Sequence, residues 1–243
     1  MEAENFLAAG YGTRVALEAK SHGWRALSEI ASVWQPGRLK GVVVSPKMGS
    51  PYLSATQVFD VRPTSRRFLS IGKINDLKSL QVNEGQILVT RSGTVGRSTL
   101  AHSVHENHVI SDDLLRVEAT GTGWWGWIYA YLRAQTVRAM MKSAQYGHII
   151  KHLETHHLDA LPVVQVDATT RSVFDSQAKS LLEKRDRAFA LTLEAELLFS
   201  NSFGTLETPN VGEAGFVSKS QSQKSMSERA LKKRQEITPE ESM

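Results

Sequence analysis

Arg91 and Arg97 stand six positions apart around the run Ser92-Gly93-Thr94-Val95-Gly96. A guanidinium is a planar fork of five N–H donors that matches a phosphate, or the O6/N7 edge of guanine, in a bidentate way. Two such groups beside a glycine turn form a grip for a polyanion if the flanking segments are stiff. Ile87-Leu88-Val89 and Ser98-Thr99-Leu100 read as strands, which sets Arg91 and Arg97 at a loop tip with Ser92 and Thr94 as shorter polar partners. Two further loops carry cations: 62–67 with Arg66 and Arg67, and 73–78 with Lys73 and Lys78. The central run is not a phosphate-binding P-loop, because arginines stand where that motif requires a glycine and a lysine. Gly93-Thr94-Val95-Gly96 also satisfies the Gly-x-x-Gly of a KH domain, but that loop joins helices and this one joins strands. The plain alternative is a turn with positive φ flanked by solvated arginines.

A second constellation is made of histidines. His148, His152 and His156 fall at i, i+4, i+8, so a helix over 147–158 would align them on one face, with His157 and Lys151 beside it. Three imidazoles suggest zinc. The geometry speaks against it: His148 and His156 would lie about 12 Å apart along the axis, too far for one ion. Glu154 follows His152 by two positions, about 200° around the helix, and not by the one that an H-E-x-x-H site needs. The expectation is therefore no bound metal, with His148 and Lys151 serving a polar contact to DNA or to a subunit. No cysteine is present, which removes thiolate zinc, disulfides and cysteine nucleophiles. No Asn-Pro-Pro-aromatic or Asp-Pro-Pro-Tyr string, dinucleotide-binding glycine motif or nuclease-type acidic set occurs, so the chain is expected to be non-catalytic.

The elements that must hold these groups follow from periodicity and punctuation. The 243 residues, 41% hydrophobic and 22% charged, suffice for one sizeable domain and an appendage. The 29 Lys+Arg against 25 Asp+Glu give +4, which permits a polyanionic partner without demanding one. Residues 1 to about 34 read as helical, with Trp24, Leu27, Ile30 and Ala31 at helical spacing. Short segments punctuated by Gly, Pro, Asn and Asp follow between Val42 and Val117 and predict a twisted, mostly antiparallel or mixed sheet. Trp124, Trp127, Ile128, Tyr131 and Leu132 mark a buried helix face, and the aromatics there are read as core. An extended segment over 161–166 precedes a long helix from about Thr169 to Phe203. Its stripe of Phe174, Ala178, Leu181, Leu182, Phe189, Leu193 and Leu197 exceeds what one domain can cover and predicts a partner helix, antiparallel since Arg185 and Thr192 interrupt a heptad. The fold class is thus α+β, divided as a helical extension (1–22), a sheet domain (23–167), a spacer or dimerisation helix (168–203) and a flexible polar tail (204–243). No apolar run spans a bilayer and the N-terminus is acidic, so a cytoplasmic, bacterial or archaeal protein without membrane contact is expected.

The same strings carry a family resemblance. Gly85 to Gly96 with Ile110-Ser111-Asp112-Asp113-Leu114, the early Gly49-Ser50-Pro51-Tyr52-Leu53-Ser54, and the closing Gln145-Tyr146-Gly147-His148-Ile149-Ile150-Lys151-His152-Leu153 resemble the target-recognition domain of type I restriction-modification specificity subunits. Leu161-Pro162-Val163 is similar to the segment that closes such domains before their helix, and Lys184-Arg185-Asp186-Arg187-Ala188 to the spacer helix itself, so that the likeness runs from about Trp24 to Phe203 in the family's order. The resemblance implies a subunit without catalytic activity that reads double-stranded DNA and docks adenine methyltransferase and motor-nuclease subunits. These partners, not this chain, use S-adenosylmethionine, ATP and Mg. Family chains carry two recognition domains and two helices, whereas this one resembles half of that, which implies a homodimer or pairing with another half-subunit. It also implies that the arginine turn, shared by readers of different sequences, contacts phosphate or acts as scaffold while the loops read bases. A free-standing DNA-binding regulator, an inactive remnant of a specificity subunit, and a hydrolase on the histidine face remain the competing readings.

Overall fold

The computed structural model describes residues 8–20, 22–70, 72, 74, 77–144 and 152–203. A π-turn over Ala8–Gly12 leads into α1 (Thr13–Lys20). The expected helix ends there. Trp24–Ala26 forms strand β1, Leu27–Glu29 a 3-10 turn and Ala31–Trp34 strand β2, so helical spacing of Trp24, Leu27, Ile30 and Ala31 was met by two short strands around a turn. The physical reason is a long-range partner: β1 pairs antiparallel with Pro162–Val164, Trp24 opposite Val164, and the turn is tied down by Leu27 N–H donating to Leu161 O at 2.9 Å.

Three sheets follow. With β3 (Val43–Val44), β4 (Ser50–Leu53), β5 (Arg67–Leu69), β6 (Ile87–Thr90), β7 (Ser98–Leu100), β8 (Val109–Ile110), β9 (Leu114–Ala119) and β10 (Pro162–Val164), the orders are β1-β10, β2-β9-β6-β7 and β3-β5-β4-β8. All pairs are antiparallel except β4 with β8, so the fold is α+β with antiparallel and mixed sheets, as expected. The segments anticipated between Val42 and Val117 all appear as strands. Alternation along the central strands divides the interior in two. Ile87, Val89, Leu115 and Val117 face helices α3 (Trp125–Arg133) and α4 (Gln135–Ala144), while Leu88 and Leu114 face Leu53, Val58 and Ile110 of the mixed sheet. Arg116 shares the second face and is fully buried between the two sheets. Its guanidinium donates to the carbonyls of Ile110, Ser111 and Leu114, and burial brings its pKa down to about 10.

After β10 comes α6 (Ala168–Phe203), starting one residue before the expected position. It crosses α3 at Gly126, where an added Cβ would stand 2.4 Å from the Phe174 backbone, and the Gly126 N–H donates to Asp175 Oδ1 at 2.6 Å. The close approach exists because that position has no side chain. Ala178 and Leu182 are buried and Leu181 packs against the same core, while the Phe174 ring meets Trp127 edge-on at 4.9 Å. These four, expected at a partner helix, instead serve the chain's own domain. Trp127 and Tyr131 donate to the carbonyls of Val164 and Pro162, which confirms the aromatic helix as core.

The chain divides into two units, Met1–Ala195 and Glu196–Met243. In the first, Leu191 and Leu193 are exposed and Phe189 is half-buried. In the second, the described residues are the helical 196–203, with Leu197, Leu198 and Phe199 exposed. The tail from 204 to 243 lies outside the described residues.

Candidate nucleic-acid interface

The turn between β6 and β7 is built around Thr90. Its hydroxyl donates to Thr94 O at 2.6 Å and accepts from the Arg97 N–H at 2.9 Å, while its own N–H donates to Arg97 O at 2.8 Å. Gly93 and Gly96 take φ of 66° and 75°, the left-handed region where a Cβ is costly. Helix α4 lies against the turn: a Cβ on Gly96 would stand 3.1 Å from Met141, and Arg138 Nε donates to Val95 O at 3.4 Å. The tip is therefore pinned from inside by one hydroxyl and from outside by a helix. Gly93, Thr94 and Arg97 are exposed on it, and Ser92 is half-buried.

The two arginines have different roles. Arg91 is at the foot of the turn, its side chain 18% exposed, ion-paired to Glu154 and 3.9 Å from Asp113. Its backbone joins two segments, the N–H donating to Asp113 O and the carbonyl accepting from Leu153 N–H, both at 2.9 Å. The expected guanidinium pair at a loop tip is thus corrected to one: two carboxylates from distant segments hold Arg91, the arrangement of a scaffold residue. Arg97 is the exposed one. Its guanidinium lies over the Phe59 ring, 4.1 Å from the centroid, and its side chain makes no hydrogen bond or ion pair among the described residues. By contrast Arg116, Arg138 and Arg185 all spend donors on protein oxygens.

Arg66, Arg67 and Lys78 are exposed, the last on the short helix α2 (Leu77–Leu80). Lys73, His148 and Lys151 lie outside the described residues. Pairing of β5 with β3 brings a set of cations that sequence reading did not connect. The turn over Pro46–Met48 packs beside β5, which brings exposed Lys47 toward the end of β5 that carries Arg66 and Arg67, while exposed Lys40 precedes Gly41, whose approach to Leu69 puts it toward the other end of that strand. Only the strand pairing brings Lys47 toward Arg66 and Arg67.

The expected histidine helix does not form. α5 (Thr155–Asp159) has five residues, and Glu154 before it is extended, with φ −109° and ψ 165°, so His152 and His156 do not share a helix face. His157 Nδ1 accepts from the Glu154 N–H at 3.0 Å, a structural bond that occupies the lone pair a metal would need. Burial, with the His156 charge beside it, lowers the His157 pKa. Among the described residues no group of three His, Asp or Glu is placed to hold a metal ion. Nor is any described helix long and apolar enough to cross a membrane.

Sequence reading also passed over the seam that docks α6. Arg185 donates to Thr99 Oγ1 at 2.7 Å and Leu100 O at 3.2 Å, so the exposed side of edge strand β7 is covered. Asp186 meets His102 Nδ1 at 2.9 Å and accepts from Ser103 Oγ at 2.7 Å. Burial raises the Asp186 carboxyl, but the Ser103 and His102 bonds outweigh it and hold the pKa below the usual range. Behind them His105 Nδ1 accepts from the His102 N–H at 3.0 Å, and burial takes its pKa down to about 3.

Structural neighbours of the chain are type I restriction-modification S subunits. The S subunit from M. genitalium is similar at 16% identity with a TM-score of 0.39, covering 66% of this chain and 40% of that one. The HsdS subunit from Thermoanaerobacter tengcongensis gives 14% identity and 0.40, over 81% and 51%. The type IIG restriction endonuclease BpuSI gives 10% and 0.48, over 72% and 28%. The chain thus spans about half or less of the length of these neighbours. No family model and no curated protein matches it.

Proposed function

We propose that this chain is a non-catalytic recognition subunit that reads double-stranded DNA in a sequence-specific way and docks adenine methyltransferase subunits, with motor-nuclease subunits joining the assembly. The observation that carries it is Arg97: an exposed guanidinium on a pinned turn, with its hydrogen-bonding donors uncommitted among the described residues. A surface cation fixed in this way suits a phosphate that positions the duplex. The exposed cations on and around strands β3 and β5 of the mixed sheet, Lys40, Lys47, Arg66 and Arg67, extend the same electrostatic footprint and supply side chains long enough to reach base edges. Arg91, Ser92 and Thr94 support the turn, and Lys73, Lys78, His148 and Lys151 complete the proposed contact set. The strings shared with specificity subunits, from Gly49 through Ala188, support the choice of this activity over a free-standing regulator. In this reading the chain binds no cofactor, S-adenosylmethionine, ATP and Mg belonging to its partners, and it acts in the cytoplasm of a bacterium or archaeon.

Titration of duplex DNA across a series of salt concentrations tests the assignment. Arg97→Ala is expected to weaken binding and to lower the slope of log K against log salt by about one, the signature of one lost phosphate contact. Curves that superimpose on the wild type would remove Arg97 from the interface.

A further inference from the structure

We infer that Phe59 is a positioning residue for the DNA contact of Arg97, and that it couples this contact to the loop over 60–66; the inference rests on the reading of Arg97 as a phosphate ligand. A free arginine side chain samples many rotamers, and ordering it on binding costs affinity. Here the Phe59 ring lies 4.1 Å under the guanidinium carbon. Stacking occupies one face of the planar group and leaves its N–H edge for an acceptor, so the fork is ordered before DNA arrives. The ring itself is anchored. Phe59 packs against the cluster of Leu53, Val58 and Ile110, and its N–H donates to Thr56 O at 3.2 Å.

The residues around Phe59 extend the effect. Gln57 Oε1 accepts from the Ser54 N–H at 3.0 Å and from Ser54 Oγ at 2.8 Å, and its Nε2 donates to Thr64 O at 2.6 Å. One amide therefore ties the far side of the loop back to β4. These bonds and the ring contact link the segment that holds the ring, the loop that carries Arg62 and Arg66, and the Arg97 turn. A phosphate held by Arg97 thereby fixes the register of the loop on the duplex.

Two arms separate this inference from the reading beneath it. In the first, without DNA, the Arg97 side-chain protons are followed by NMR. They are expected upfield in the wild-type chain through the ring current, unchanged in Phe59→Tyr, and at ordinary positions in Phe59→Leu, which keeps an apolar anchor but no π face. In the second, duplex DNA is titrated. Phe59→Leu is expected to weaken binding about threefold, as an exposed cation–π contact allows. Phe59→Tyr should restore it, and Phe59→Leu should have no further effect in an Arg97→Ala background. A merely structural role for Phe59 would weaken binding equally in both backgrounds. If the wild type binds DNA and Arg97→Ala weakens it while Phe59→Leu does not, the positioning role is overturned and the Arg97 assignment stands. If Arg97→Ala has no effect, both fail.

Discussion

Arginine is one residue type put to four uses in this molecule, and the surroundings decide which. Arg116 is a buried strut between sheets, Arg91 a scaffold held by Glu154 and Asp113, Arg185 a clasp on an edge strand, and Arg97 an exposed fork on an aromatic plate. The substitutions to alanine should separate accordingly. Arg91→Ala removes the ion pair with Glu154, whose side chain is 20% exposed, and is expected to lower stability by about 1–3 kcal/mol in denaturant titration. Arg97→Ala is expected to stay within about 0.5 kcal/mol of the wild type while losing DNA affinity. His105 makes a pH prediction with a definite sign. The unfolded imidazole takes a proton near pH 6.5, the folded one only at about 3, so between these values the unfolded chain binds the extra proton. Stability is fully present above 6.5 and falls as pH drops toward 3, by at most about 1.4 kcal/mol per pH unit from this group. The His157 shift has the same direction. In His105→Gln, where an amide oxygen accepts the His102 N–H and does not titrate, melting temperature should fall less steeply between pH 6.5 and 4. An identical slope would assign the acid sensitivity elsewhere.

Among the elements, those governed by local punctuation were legible. Gly, Pro, Asn and Asp between Val42 and Val117 delimit six of the seven strands there, all but β5, whose Arg67 reads as loop, and the long run without breakers bounds α6 within a residue. What required a distant partner was not. β1 depends on β10, well over a hundred residues away, and without it Trp24 to Ala31 imitates a helix. The ion pair that removes Arg91 from the loop tip depends on Glu154, 63 positions off, and the Phe59 plate under Arg97 is likewise invisible in one dimension. Periodicity detected the apolar stripe of α6 correctly but not what covers it. Gly126 shows why the near half is taken up internally: it lets two helix backbones touch. Gly126→Ala is therefore expected to force α6 outward and to destabilise by about 1–3 kcal/mol, more than an alanine in an open helix position would. Amide exchange along 168–188 reads this directly, and protection equal to the wild type would mean the crossing has room to spare.

At the scale of the whole molecule, the sheet domain presents the exposed guanidinium of Arg97 and the further exposed cations Lys40, Lys47, Arg66 and Arg67, and the apolar face of α6 runs on into exposed Leu191 and Leu193. We propose that this later stretch, with Leu197, pairs with a second copy or another half-subunit, which for a homodimer would set two recognition domains on inversely related half-sites. Leu193→Glu with Leu197→Glu is then expected to shift the sedimenting species toward monomer and to leave the melting of the sheet domain unchanged. A wild-type chain that sediments as a monomer at all concentrations would refute self-pairing. Whether the chain chooses among duplexes is decided by selection from a pool of randomised double-stranded oligonucleotides, by the full chain with and without adenine methyltransferase subunits. One enriched motif, bound more weakly by Arg97→Ala, is expected; recovery of the pool unchanged under both conditions would mean that the chain does not read DNA sequence.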